Sequence, residues 1–315
     1  MENDFIISAN LRECNYGSDE WKEAKGYISK SGIIRLKESP DHYKNGEPFI
    51  ETPEIIFGRM YHCFVFQPER FEKEYFVFDE QIAIDAMIAR ANAEGRDIQK
   101  PRATKEYKEW YEGQLKQAEG KTMIDREQHE KLKGMKNKLL QHPYANILIS
   151  KGIPEQGIIG ELETAVGKIG VKLIPDLRND NKRICIELKT TKNASKEDFP
   201  KEAANYNYHI QSALYADMLE LFYKDNRPVK FIFIAQEKRL PYAFNIFESS
   251  PKFNGQGRYE YEMLLQLYKY CMDNDYWPGY QVFCPNKYGI LDLDLPGWAI
   301  KDLTYYDHKT KKNGK

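Results

Sequence analysis

The hydrophobic period of this chain changes at about residue 155, and that change limits the fold more than any other feature. Up to about residue 150 the apolar residues recur at helical spacing. "SKSGIIRLKESPDHYKNG" gives a serine start, a Ser-Pro restart and a glycine stop. "EIIFGRMYHCFVFQPERF" is a dense apolar helix closed at Gln67-Pro68, and "TKEYKEWYEGQLKQAEG" is amphipathic up to Gly120. In "DREQHEKLKGMKNKLLQH", Asp125 followed three residues later by Gln128 is a capping-box start. Beyond 155, "GIIGELETAV", "IGVKLIPDL" and "RICIELKTT" are short strand-like runs separated by turn residues. A helix "AANYNYHIQSALYADMLELFYK" follows, then strands "VKFIFIAQEK" and "YAFNIFES", then the helix "GRYEYEMLLQLYKYCMDND". Strands, helix, strands, helix predicts an α/β (α+β) layer with a central mixed sheet flanked by helices. Residues 1–150 are then a mainly helical N-terminal part, 151–305 the core, and 306–315 a basic tail.

The run "RICIELK" has a consequence beyond the fold. Ile184, Ile186 and Leu188 share one parity, and Cys185, Glu187 and Lys189 share the other. Alternate side chains of a strand point to opposite faces, so the aliphatics enter the core while Glu187 and Lys189 project together. Asp176 ends the preceding apolar run, and a hairpin through Arg178–Lys182 returns it beside Glu187. Upstream, a turn at Gly167-Lys168 would set Val166 against Ile169 and Glu161 against Ile174. Glu161 and Glu163 would then point to the side of Asp176.

Surface hairpins are rich in Asp, Glu and Lys, so three such residues do not decide between a solvated ribbon and a site. Their placement among aliphatics, away from a polar loop, favours the site. Mg²⁺ prefers hard oxygens and keeps several waters. Asp176, Glu187 and the backbone carbonyl of Leu188 offer such oxygens, and Lys189 supplies a compact charge for an attacking water or a developing oxyanion. Mg²⁺ is the expected ion, with Mn²⁺ as the alternative.

The composition excludes several other classes. In 315 residues, 41% are hydrophobic and 30% charged, as in an ordinary globular protein. A net charge of −1 means that nucleic acid must meet a local patch, not a basic average surface. Candidates for that patch are Lys189, Lys192, Lys196 and Lys201, with Arg178 and Lys182 on the turn. Cysteines 14, 63, 185, 271 and 284 lack the spacing of a zinc ribbon or an iron–sulfur cluster and suit reduced thiols. No apolar run approaches the roughly 18 residues of a membrane span, and "MENDFIISAN" has no signal-peptide pattern, so a cytoplasmic location without membrane contact is expected.

"PD" at 175–176 followed by "ELK" at 187–189 resembles the PD-(D/E)xK nuclease superfamily. Within its RecB-like group the chain is most similar to RecE-type (exonuclease VIII) exonucleases. "ELKTTKNASKEDF", "YNYHIQSALYAD" with Gln211 and Tyr215, "FGRMYHCFVFQPERF" with Gly58 and His62, and "WPGY" and "LPGWA" near the end carry the likeness over about residues 28–300. The resemblance implies a PD-(D/E)xK restriction-endonuclease-like core with a metal held by His62, Asp176, Glu187 and one of Glu161 and Glu163. It implies Lys189 as base or electrostatic stabiliser, and Gln211 and Tyr215 as residues that position the lysine and a DNA phosphate. Four residues apart, these two share a helix face. It further implies DNA cleavage at linear duplex ends, 5′→3′, in recombination or in phage and mobile-element processing, by a homo-oligomer, with a single-strand annealing protein as partner. The branch with a four-cysteine iron–sulfur cluster is disfavoured by the cysteine spacing. Two other readings remain: an endonuclease of the same superfamily, and a nuclease fold kept only for DNA binding or partner docking.

Overall fold

In the computed structural model of the protein, residues 5–283, 288 and 290–299 are described. The tail 306–315 and Cys284 lie outside them. The first half runs β1 (Ile6–Asn15), α1 (Asp19–Glu23), α2 (Lys30–Glu38), α3 (Pro40–Asn45), α4 (Pro53–Phe66), α5 (Pro68–Glu74), β2 (Tyr75–Phe78), α6 (Glu80–Ala93), α7 (Lys105–Ala118), β3 (Thr122–Asp125), α8 (Arg126–Leu140) and α9 (Pro143–Ser150). The second half runs β4 (Ile153–Pro154), β5 (Gln156–Thr164), β6 (Gly167–Leu173), β7 (Leu177–Asn179), β8 (Ile184–Thr191), α10 (Phe199–Asn205), α11 (Tyr208–Tyr223), β9 (Lys230–Glu237), β10 (Phe244–Glu248) and α12 (Pro251–Asn274).

Local chemistry sets these limits. Ser29 caps α2, and Ser39 both ends α2 and caps α3 before Pro40. Asp125 accepts the Gln128 N–H at 2.7 Å and starts α8. Loss of such a cap costs about 1 kcal/mol. Gln67 closes α4 because Pro68, which lacks an N–H, is favourable only in the first turn of the next helix. Asn207, at φ 55, divides the expected single helix into α10 and α11.

The main sheet has the order β10-β9-β8-β7-β4. It is mixed, since β8 and β9 are parallel and the other pairs antiparallel. β1, β5 and β6 form a separate antiparallel sheet, and β2 pairs with β3 in parallel. β8 lies at the middle of the main sheet, so both its faces are covered. Cys185, Phe231 and Phe233 join one core with residues of α2, α11 and α12. Ile186, Leu188, Ile232 and Ile234 join the other with residues of α4 and α8. Leu188 is fully buried, and its truncation to alanine costs about 2–5 kcal/mol.

Two expectations need correction. "IGVKLIPDL" is not one strand. It ends as β6 in the small sheet and resumes as β7 in the main sheet, because Pro175 has no N–H for a ladder. The β5–β6 turn also differs. Thr164 pairs with Gly167 and Glu161 with Gly170, not Val166 with Ile169 and Glu161 with Ile174. The Thr164 hydroxyl donates to the Gly167 carbonyl at 2.6 Å and accepts the Val166 N–H at 3.3 Å, and Gly167 takes φ 106. These bonds fix a two-residue loop.

Candidate active site

The site forms where β7 stops and leaves one edge of β8 open. The ladder sets Leu177 against Ile186, which brings Asp176 opposite Glu187. The Asp176 N–H donates to Glu187 Oε1 at 3.3 Å, and the Leu188 N–H donates to Asp176 Oδ2 at 2.9 Å. Lys189 Nζ donates to Glu187 Oε2 at 2.6 Å. From the other layer, α4 lays His62 over this notch. Its Nδ1 lies 3.4 Å from Asp176 Oδ1, and its Nε2 donates to the Leu188 carbonyl. Gly58, one turn earlier, faces Thr190 of β8, and a Cβ there would meet Thr190 Oγ1 at an ordinary contact distance of 3.6 Å. The Glu187 side chain is 2% exposed, whereas Lys189, Asp176 and His62 retain 15–17%. Glu187 is therefore sealed while the other groups still reach solvent.

The electrostatics separate the two acids. Burial, then the nearby Asp176 charge, hold the Glu187 carboxyl above its usual range despite Lys189. Burial also pushes Asp176 up, but His62 and then Lys189 outweigh it, so Asp176 titrates below its usual range. For His62, burial favours the neutral ring, yet the Asp176 carboxylate wins and raises it. Lys189 is raised because Glu187 and Asp176 outweigh its burial. Such a separation between neighbouring carboxyls is typical of functional sites.

Among the described residues, no three His, Cys, Asp or Glu side chains form a preformed metal cage. The donor chemistry still fits a hard divalent cation. Two carboxylates and the Leu188 carbonyl meet at one notch, and each is held by an exchangeable partner: Lys189 on Glu187, His62 on Asp176 and on Leu188. His62 could ligate only as the neutral ring.

Glu161 and Glu163 do not join this group. They lie on β5 in the separate sheet, Glu161 exposed and Glu163 half-buried, and neither hydrogen-bonds nor ion-pairs with His62, Asp176, Glu187 or Lys189. The acid beside Asp176 is Glu155. Its N–H donates to the Asp176 carbonyl at 3.1 Å, and it lines a cleft of about 200 Å³ with Asp176, Arg59 and Arg70. Gln211 is buried, with Oε1 lacking a hydrogen-bond partner among the described residues. Tyr215 is buried too, its hydroxyl against the backbone of Ile174, so it supports the segment that carries Asp176. Arg178 is no DNA ligand. It is fully buried, ion-paired with Glu13 and set over the Phe222 ring at 5.3 Å.

Two further residues, to which the sequence assigns no role, stand beside the site. Tyr208 places its ring 5.0 Å from Lys189 Nζ. Lys30, half-buried at the start of α2, lies within electrostatic reach of Lys189, Glu187 and Asp176. Burial and then Lys189 lower it to about 8. No carboxylate among the described residues lies within ion-pair distance of it.

A family model described as a PDDEXK-like domain of unknown function (DUF3799) matches residues 29–286. The chain belongs to this PDDEXK-like family. The match places the chain in the PD-(D/E)xK nuclease superfamily without selecting the RecE type. A crystal structure described as a "Putative exonuclease" from Eubacterium rectale superposes with a TM-score of 0.55 at 14% identity, over 90% of this chain and 94% of that one. At that identity it speaks for the fold alone. No curated protein matches the sequence. No described helix is long and apolar enough to cross a membrane.

Proposed function

We propose that this protein is a divalent-cation-dependent deoxyribonuclease and, more finely, an exonuclease that degrades linear duplex DNA from its ends, 5′→3′, during recombination or phage and mobile-element DNA processing. One observation carries the reading: Asp176, Glu187, Lys189 and His62 meet at the open edge of β8. The DUF3799 match and the exonuclease-named neighbour agree with it. A bound cation, Mg²⁺ or Mn²⁺, would neutralise charge on the scissile phosphate and acidify a water.

The chain's own residues do the rest. Asp176 and Glu187 supply ligand oxygens, fixed by the two backbone N–H bonds across the β7–β8 pair. Lys189, once released from Glu187, is free to orient the attacking water and to stabilise negative charge on the phosphoryl oxygens. Tyr208 flanks its ammonium and limits where it can swing. Hydrolysis adds the water oxygen to phosphorus and breaks the bond to the leaving nucleotide oxygen, which takes a proton. Tyr215 and Gln211 act behind this layer as positioning residues. A homo-oligomer and a single-strand annealing partner complete the proposal by family likeness.

Linear and closed circular duplexes, incubated with Mg²⁺ or with EDTA, test it. Loss of the linear DNA alone, in Mg²⁺ only, and its absence in Lys189→Ala and Asp176→Ala proteins, is the expected result. Cleavage of the circle would assign an endonuclease. Retained binding without cleavage in wild type and variants alike would assign a DNA-binding module.

A further inference from the structure

We propose that Lys131 and Lys238, set at the Phe57 ring, and Lys192 beside Lys238 form a track that holds the DNA sugar–phosphate backbone beside the site; the proposal rests on the nuclease reading and extends it. The sheet register places two of the three. β8 and β9 are parallel with Thr191 against Glu237, so Lys192 and Lys238 leave the sheet side by side at its carboxyl end. That end of a parallel pair is where α/β folds place their ligands. The third comes from α8: Lys131 Nζ lies 5.2 Å from the Phe57 ring and Lys238 Nζ 6.0 Å from the same ring. Phe57 precedes Gly58, whose neighbour Thr190 lies between Lys189 and Lys192. The patch thus shares α4, which also carries His62, and the end of β8 with the site.

Charge bookkeeping separates these lysines from their neighbours. Lys133 pairs with Glu130, Lys196 with Glu197, Lys201 with Asp198 and Arg239 with Glu237. Among the described residues, no carboxylate lies within ion-pair distance of Lys131, Lys192 or Lys238. Glu54 is the acid that feels Lys238 and Lys192, and only weakly beside its own backbone and Thr52. Three uncompensated like charges repel one another, and an anion running across them relieves that repulsion.

The base of Lys192 is also held in place. Thr191 Oγ1 donates to Glu202 at 2.6 Å, Asn193 Nδ2 to Asp198 at 2.6 Å, and the Ala194 N–H to Glu237 at 3.2 Å. Lysines are point charges, suited to phosphates whatever the base sequence.

The test measures the salt dependence of binding to a fluorescein-labelled linear duplex with a single-stranded tail, in EDTA. The triple Lys131→Gln, Lys192→Gln, Lys238→Gln protein should lose three phosphate contacts. Its slope of log K against log salt should fall by about 2.7 for duplex, or about 2 for a single strand. The matching arginine triple should restore the slope. A Lys196→Gln, Lys201→Gln protein should keep it. An unchanged slope in a folded glutamine triple, or an equal fall in the Lys196/Lys201 protein, overturns the track. Hydrolysis of a single-nucleotide p-nitrophenyl diester, too short to follow the track, should survive in the triple and fail in Lys189→Ala. A wild type that binds DNA with the expected slope but hydrolyses neither substrate overturns the nuclease reading and leaves the track standing.

Discussion

Two charged clusters lie at the start of α11, and they are built to opposite ends. On one side Lys37 Nζ donates to Asn207 Oδ1 at 2.7 Å and to Glu260 Oε2 at 2.6 Å, Gln256 Nε2 donates to Glu260 Oε1 at 2.7 Å, and His209 Nε2 lies 3.2 Å from Glu260. This cluster joins α2, α11 and α12, and its charges are matched. Burial pushes the Glu260 carboxyl up, but the hydrogen bonds from Gln256 and Lys37, with the His209 ring 3.2 Å away, overcome it and bring it to about 2. On the other side Glu187 is held above its usual range, and among the described residues Lys30 has no ion-pair partner. A cluster that satisfies itself is a joint. One that leaves an acid reluctant to ionise and a cation unpaired is prepared for something the chain does not supply.

That contrast can be broken experimentally. Its largest expected effect is on turnover. Lys189→Ala and Glu187→Gln should each lower DNA hydrolysis roughly 10²–10⁴-fold. For Glu187→Gln, thermal melting should stay within about 2 °C of wild type, because the substitution removes a charge that burial and Asp176 already disfavour. A large fall in Tm for that protein would make the site a structural joint after all.

Lys30→Met should cost roughly 10- to 100-fold in turnover, with Lys30→Arg restoring most of it. Calorimetric titration with Mn²⁺ should show binding unchanged or tighter in Lys30→Met, because a cation beside a cation site opposes metal binding. Weaker Mn²⁺ binding would exclude a role toward phosphate.

Glu260→Ala should act in the reverse sense. It should lower stability by about 1–3 kcal/mol in urea titration and leave activity per folded molecule intact. The smallest effect is its pH signature. The folded carboxyl titrates at about 2 and the ordinary one at 4.5. An acid depressed on folding contributes stability that is full above the unfolded value and fades as pH falls toward the folded one. The gap between wild type and Glu260→Gln should therefore be constant above about pH 5 and close between 4.5 and about 2. A gap that widens on acidification would reverse the assignment.

Much of the site is legible in the sequence because it rests on short-range rules. Parity along "RICIELK" separates Glu187 from Ile186, and a short turn brings Asp176 opposite it. Helix starts at Ser39 and Asp125 follow from side-chain capping, which is local. What the sequence hides is set by distant packing. The passage of the chain from β6 to β7 depends on how two sheets meet, so Glu161 and Glu163 look like neighbours of Asp176 and are not. Glu155 reaches Asp176 through a backbone bend at φ 45 that no motif signals. β1 buries only Leu11 and Cys14 along its length, so its alternation is weak even though it pairs along the whole of β5.

His62 and Lys30 are synthesised long before Asp176, Glu187 and Lys189, and β8 gains its parallel neighbour only when β9 follows. A chain still emerging from the ribosome thus holds His62 and Lys30 before the groups they meet in the folded protein. The notch on β8 is therefore completed only late in synthesis, when its last strand has joined.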